Sequence, residues 1–235
     1  MWYKYLFPSG VKCVMCGCEC SDRAICIDCY NRLPFIHNHC RVCGGEVYGE
    51  LDICDDCVGN PHKFDKSYCI LEYRDDVRSK ILALKNTRAS HLAIPFSDIL
   101  LDEYNKLNWP VDVIIPVPIH TSREKSRGYN QSELLCNALS ESTGLVDTSI
   151  LIREIDTPHQ TGLNRENRKK NVHSAFKVLD RAKVKGKNIL IVDDIYTTGT
   201  TLDECARALK KAGASKVFAL CLARTPILKL QESEI

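Results

Sequence analysis

Residues 189–201 read Ile189-Leu190-Ile191-Val192-Asp193-Asp194-Ile195-Tyr196-Thr197-Thr198-Gly199-Thr200-Thr201, and the fold class follows from this run. Residues 189–192 are branched and apolar without alternation, which describes a strand buried on both faces, as in a parallel sheet. Asp193 and Asp194 follow where that strand is expected to end. Thr197, Thr198, Gly199 and Thr200, small and hydroxylated or flexible, then lead into a helix opening at Thr201. A loop at a helix N-terminus presents unpaired N–H groups and the positive end of the dipole, which suits a phosphate. Paired carboxylates just before it suit vicinal hydroxyls or a magnesium-bound sugar. Phosphate and diol at that separation describe a ribose 5-phosphate.

The run resembles the phosphoribosyl pyrophosphate (PRPP) signature of type I phosphoribosyltransferases. That resemblance implies that Asp193 and Asp194 are the catalytic pair at the ribose hydroxyls, with magnesium. It places Ile195, Tyr196, Thr197, Thr198, Gly199, Thr200 and Thr201 around the 5-phosphate. An ordinary loop after a buried strand also carries Asp, Thr and Gly for turn chemistry. An ordered match over the whole run outweighs that reading.

Outward from the run, strand-like and helical periodicities alternate. Strands are expected at 67–73, 111–117, 150–153, 175–178, 188–193 and 216–222. Helices are expected around Val77, Ile81 and Leu84, over 91–107, over 131–142 and over 201–212, the last stopped by Gly213. The βαβ order predicts an α/β fold: a parallel sheet flanked by helices, with ligands at the strand C-terminal ends.

The N-terminal part reads differently. Of 14 cysteines, eight form CxxC pairs: Cys13/Cys16, Cys26/Cys29, Cys40/Cys43 and Cys54/Cys57. A CxxC knuckle places two thiolates on one side of a tight turn, and two knuckles make a tetrahedral zinc site. Gly17 and Gly44 follow the first and third pairs, suggesting two consecutive ribbons and two structural zincs. A cross-brace joining the first pair with the third is the other arrangement, and Cys18 and Cys20 can displace a ligand of the first site. Four-thiolate sites are closed, so the zinc is read as structural. A segment with so few large apolar side chains needs such staples. The expected organisation is a double zinc-ribbon module over 1–61, connecting elements over 62–110 and a phosphoribosyltransferase-like domain over 111–230.

Composition is that of a globular protein, with 44% hydrophobic and 26% charged residues. No membrane-spanning stretch or signal-peptide core is read, and the expected location is the cytoplasm. Residues 1–60 hold five Lys/Arg against eight Asp/Glu, a balance of −3; the total of +2 leaves +5 beyond them. An acidic module is a poor grip for a nucleic-acid backbone, so a polyanion should meet the C-terminal part.

Two further stretches carry candidates. Pro116, Val117 and Pro118 leave a strand end and lead through Arg123 and Lys125 to Arg127-Gly128-Tyr129-Asn130-Gln131. In type I phosphoribosyltransferases the equivalent loop grips pyrophosphate. The resemblance assigns that role here to Pro116, Val117, Pro118, Arg123, Lys125, Arg127, Gly128, Asn130 and Gln131. Residues 154–172 are long, polar and irregular, and Arg165, Arg168, Lys169 and Lys170 open a basic stretch that runs to Lys187. The resemblance implies a flexible loop over PRPP, and the charge implies a polyanion contact. His159 and His173 read as ordinary surface histidines.

The order of paired CxxC motifs, PVP…RGYNQ, TPHQTGLNRENRKKNV and VDDIYTTGTT is similar to the ComF family, close to late competence and GntX-like proteins, over nearly the whole chain. That resemblance implies PRPP binding with magnesium, single-stranded DNA, and DNA uptake in natural transformation beside a competence helicase (ComFA-like) and other uptake proteins. The alternative is an active phosphoribosyltransferase acting on an unidentified base or other acceptor. A PRPP-responsive transcription regulator is disfavoured because no helix-turn-helix signal is read.

Overall fold

The computed structural model describes residues 11–20, 23–86, 89–156 and 175–226. Four parallel strands form the main sheet: β3 (Lys66–Glu72), β4 (Val113–Pro116), β7 (Asn188–Tyr196) and β8 (Lys216–Arg224), in the order β3-β8-β7-β4. Residues 145–147 extend the pairing beyond β4, where Ile114 N–H donates to Leu145 O and Asp147 N–H to Ile114 O. The expected parallel α/β sheet is present.

Both faces of the sheet are buried, which explains the unalternating apolar runs. On one face Ile189, Ile191, Val217, Ala219 and Cys221 pack against α7 (Thr200–Ala212) through Leu202, Cys205, Ala206 and Leu209. Those four lie at helical spacing and form one apolar stripe. On the other face Leu190, Val192, Phe218 and Leu220 meet α2 (Asp75–Leu84) and α3 (Ala93–Leu107). No helix among the described residues is long and apolar enough to cross a membrane.

Several expectations change in detail. The signature strand does not end before its acids: β7 continues to Tyr196 because β8 runs alongside it, pairing Ile195 with Ala223 and Tyr196 with Arg224. The helix expected over 131–142 breaks at Cys136 into α5 (Gln131–Leu135) and α6 (Asn137–Thr143). There the Ala138 N–H donates to Ser97 Oγ of α3 at 2.8 Å, in place of a carbonyl one turn back. The basic loop after β4 contains a helix, α4 (Thr121–Arg127). The short strands β5 (Leu151–Arg153) and β6 (Phe176–Val178) stand outside the main sheet as an antiparallel pair.

The cysteine-rich segment is built into this body. It contributes a small hairpin, β1 (Val11–Lys12) with β2 (Glu19–Cys20), and the helix α1 (Ile27–Asn31). Cys13 and Cys29 lie in the apolar cluster of the α2/α3 face, whereas Cys40, Cys43 and Cys54 lie in that of the α7 face. Between them, residues 34–44 run along β3: Ile36 N–H donates to Ile70 O, Glu72 N–H to Pro34 O and Ser67 N–H to Val42 O. A parallel sheet with an open edge strand is a template for unwanted pairing, and this segment covers that edge. A Cβ on Gly44 would sit 2.4 Å from Tyr68 Cα, so the close approach requires glycine.

Candidate functional site

Asp193 and Asp194 are both buried near the end of β7. Asp193 Oδ1 accepts from Ser132 Oγ at 3.1 Å and from the Asp194 N–H at 2.9 Å. Burial, and then the neighbouring charge of Asp194, push the Asp193 carboxyl up to about 8. Asp194 Oδ2 is buried, and beyond its ion pair with Lys85 Nζ at 3.1 Å it has no hydrogen-bond partner. Burial pulls the Lys85 ammonium down, but Asp194 and Asp193 outweigh it and its pKa is raised. A proton on Asp193 and one lysine from outside the signature, paired with Asp194, thereby hold the two acids in the sheet.

Tyr129, from the RGYNQ string, fixes that lysine. Its hydroxyl reaches Leu84 O at 2.7 Å and Asn86 O at 2.6 Å, the carbonyls on either side of Lys85. Asn130 caps α5 by accepting from Ser132 N–H, and its amide donates to Val117 O at 3.1 Å. The string thus joins the end of β4, the acids of β7 and the end of α2. Arg127 donates to Gln131 Oε1 and is half-buried; burial lowers its pKa, against the opposing pull of Asp194. Arg123 Nε donates to Asp156 Oδ1 at 3.1 Å, and Lys125 is exposed on α4. Pro116 ends β4; Val117, buried, and Pro118 follow it, and Gly128 (φ 87°) caps α4. Arg165, Arg168, Lys169 and Lys170, with His159 and His173, lie outside the described residues.

The small-residue loop after the acids turns through Gly199, which has φ 75° and precedes α7. A Cβ there would lie 2.4 Å from the Tyr196 hydroxyl, so side-chain-free backbone is required twice over. Thr198 and Thr200 share a hydroxyl hydrogen bond of 2.8 Å, Thr197 is exposed, and Thr201 lies in the first turn of α7. Thr225 N–H donates to Tyr196 O at 3.0 Å and pins the loop to β8. Ile195 is half-buried; Tyr196 is buried beneath the loop.

The cysteines assemble sequentially. Cys13, Cys16, Cys26 and Cys29 have their sulfurs within 4.8 Å of one another, as do Cys40, Cys43, Cys54 and Cys57. The cross-brace is therefore not formed. Each set fits a tetrahedral thiophilic ion: donors are all sulfur, and the knuckles supply N–H groups to them, such as Cys54 N to Cys40 Sγ at 3.3 Å. Burial raises the Cys13 thiol, but N–H donation from Cys16, Cys26 and Met15 wins and brings it to about 6. Beside the second set lies Arg224, buried, with Nε and Nη1 lacking hydrogen-bond partners and its guanidinium 4.4 Å over the Tyr196 ring. A buried cation in that position would offset the net negative charge of four thiolates around a divalent ion.

Sequence reasoning missed His62, which links the second thiol set to the loop. Its Nδ1 is 3.0 Å from Asp203 Oδ2 in the first turn of α7. Its Nε2 lies 3.3 Å from the Tyr196 hydroxyl and 3.7 Å from Cys57 Sγ. With Nδ1–H given to the carboxylate, Nε2 is the acceptor for Tyr196. His62→Phe removes the tie between the segment after Cys57 and Asp203 of α7, and is expected to weaken metal retention at the second thiol set by about tenfold. Competition with a chromophoric chelator measures it, and unchanged retention would remove His62 from this role.

A phosphoribosyl transferase domain model matches residues 86–234. The DNA utilization protein YhgH of Escherichia coli (strain K12) is 32% identical over 223 residues, spanning 92% of this chain and 91% of its own. Competence protein F of Haemophilus influenzae is 27% identical over 225 residues, spanning 91% and 96%. Competence protein ComFC of Bacillus subtilis is 26% identical over 231 residues, spanning 87% and 85%. With a phosphoribosyl transferase domain on a parallel sheet, two thiol clusters ahead of it and relatives matched over nearly their full length, this chain belongs to the ComF family.

Proposed function

We propose that this chain binds PRPP with magnesium at the Asp193–Asp194 end of the sheet, and that it handles single-stranded DNA during DNA uptake. The observation carrying the first part is Asp194 Oδ2, a buried carboxylate oxygen without a hydrogen-bond partner, placed directly before a glycine-capped helix start. The all-oxygen donor pair fits a hard divalent ion with a ribose diol, which would replace Lys85 as the cation at Asp194. Magnesium would supply charge neutralisation of the pyrophosphate. Ser132 orients Asp193, Tyr129 holds Lys85 and Asn130 ties the pyrophosphate-side loop to β4. The backbone from Thr197 to Thr201 receives the 5-phosphate. The thiol sets hold structural zinc. The second part rests on the DNA-utilization and competence names of the relatives and on the charge split between the two ends of the chain. A competence helicase of the uptake machinery is the expected partner, and the cytoplasm the expected place.

Calorimetric titration with magnesium–PRPP tests the ligand, and pyrophosphate release against a panel of bases and nucleic acids tests the chemistry. Binding without release supports the binding role. Release with any acceptor supports the transferase alternative, in which the same residues stabilise charge in the transition state. No binding overturns both.

For DNA, affinity is expected to fall with salt at about −0.7 in log–log slope per phosphate contact. Replacing Arg168, Lys169 and Lys170 by Ala should flatten that slope by about two. An unchanged slope in a salt series by fluorescence anisotropy would count against this surface.

A further inference from the structure

The two ribbons are copies of one hairpin. Counterparts lie 27 residues apart, Cys13 with Cys40 and Cys16 with Cys43. Gly17 N–H donates to Cys13 O and Gly44 N–H to Cys40 O, both at 2.8 Å. Cys13 N–H donates to Cys18 O and Cys40 N–H to Gly45 O, both at 2.7 Å. Lys12 faces Glu19 across the first hairpin as His39 faces Glu46 across the second. This register equates Cys18 with Gly45 and Cys20 with Val47.

In the second ribbon those positions have no room for a ligand. A Cβ on Gly45 would lie 2.4 Å from Arg224 Nε, and Val47 is buried in the core. In the first ribbon both positions are thiols turned to the metal-ligand set. Cys18 Sγ is 3.3 Å from Cys16 Sγ, and Cys16 Sγ is 3.7 Å from Cys26 Sγ. Cys13, Cys18 and Cys20 form a second group whose sulfurs lie within 4.8 Å of one another, sharing Cys13 with the first. Six thiols therefore converge where one tetrahedral ion uses four.

We propose that the first ribbon holds two thiophilic divalent ions in a six-thiolate cluster. Two tetrahedral ions need eight bonds, and six thiolates supply them when two are shared. Cys13 is one shared sulfur, since it belongs to both groups. Cys16, in contact with Cys18, is the second. Cys26 and Cys29 complete one ion, and Cys18 and Cys20 the other. Each thiol gives up its proton on binding, so filling the second position releases two more protons than a single-ion centre. This rests on the reading of the thiol sets as zinc centres and deepens it: the ribbons would be alike in fold and unlike in stoichiometry, with three ions per chain.

The test is native mass spectrometry and elemental analysis of the full chain purified under reducing conditions, alone and as Cys18→Ser/Cys20→Ser. Three zincs falling to two in the variant, with circular dichroism unchanged, is the expected result. Two zincs in the unmodified chain overturn the pair while leaving the zinc reading in place; no metal in either centre overturns the zinc reading itself. Three zincs in both forms overturn the assignment to Cys18 and Cys20. Cadmium-113 NMR gives an independent count if the double variant folds poorly: three resonances from the unmodified chain support the pair, and two overturn it.

Discussion

Replacing Asp193 and Asp194 together by Asn is expected to weaken magnesium–PRPP binding by on the order of 100-fold or more, since charge-assisted contacts contribute about 1.5–3 kcal/mol each. The single change Asp193→Asn should at the same time stabilise the ligand-free chain. The folded-state pKa of Asp193, about 8, lies above its ordinary 3.8. The folded chain therefore holds a proton that the unfolded chain releases. That contribution to stability is present in full below about 3.8 and is lost as pH rises through about 8. A neutral Asn, whose Oδ1 can accept from Ser132 and Asp194 as Asp193 does, escapes this loss. Little change in melting temperature is expected at pH 4, and a gain of several kcal/mol at pH 8.5, with about 6 kcal/mol as the ceiling at about 1.4 kcal/mol per pKa unit. Ligand binding, which draws on the ionised pair, should strengthen between pH 6 and 8 with proton release visible by calorimetry in buffers of different ionisation heat. A flat profile, with affinity intact in the double variant, would falsify the site. A residue that costs stability until its ligand arrives is the expected signature of a binding site.

Loss of metal from the second thiol set is expected to unfold the chain, whereas loss from the first should leave a folded, less stable protein. The second set lies in the apolar cluster shared with α7 and β8, faces Arg224, and has its first knuckle in the segment that runs along the edge of β3. Without it the thiols take up protons, and the buried guanidinium keeps the Asp56 ion pair but loses the thiolate charge, which is costly. Structural zinc contributes apparent free energies of about 10–16 kcal/mol, comparable with the whole stability of a domain. Cys43, fully buried, and Cys16, exposed, make the comparison. Cys43→Ser should give insoluble or molten protein, and Cys16→Ser a folded one with a lowered melting temperature. Equal effects would show that the two centres bear the fold alike.

Much of this architecture was written locally. The unalternating run 189–192 needs only its own composition to declare a strand covered on both sides. The stripe of Leu202, Cys205, Ala206 and Leu209 declares the face of α7. The glycine before α7 and the CxxC spacing depend on a few neighbouring residues, so the glycine turn ahead of α7 and the thiol pairs were legible. Even the sequential pairing of the knuckles was favoured over a cross-brace by Gly17 and Gly44 after the first and third pairs.

The contacts that complete the site depend on residues far apart in the chain, and only the tertiary structure decided them. His62 meets Asp203 across 141 residues and Tyr196 across 134. Lys85 reaches Asp194, and Arg224 reaches Asp56 across 168. A lysine after a helix or a histidine after a proline has no local pattern that reports its partner. The break at Cys136 likewise arises because Ser97, on another helix, captures an N–H that periodicity assigned to the same helix. The placing of the two thiol sets on opposite faces of one sheet follows from how β3 and its covering segment pack, which short-range periodicity does not encode. Sequence determined most of the core strands and helices and where the paired acids and thiols fall. Packing decided which charges meet, because burial and long-range proximity set their energies.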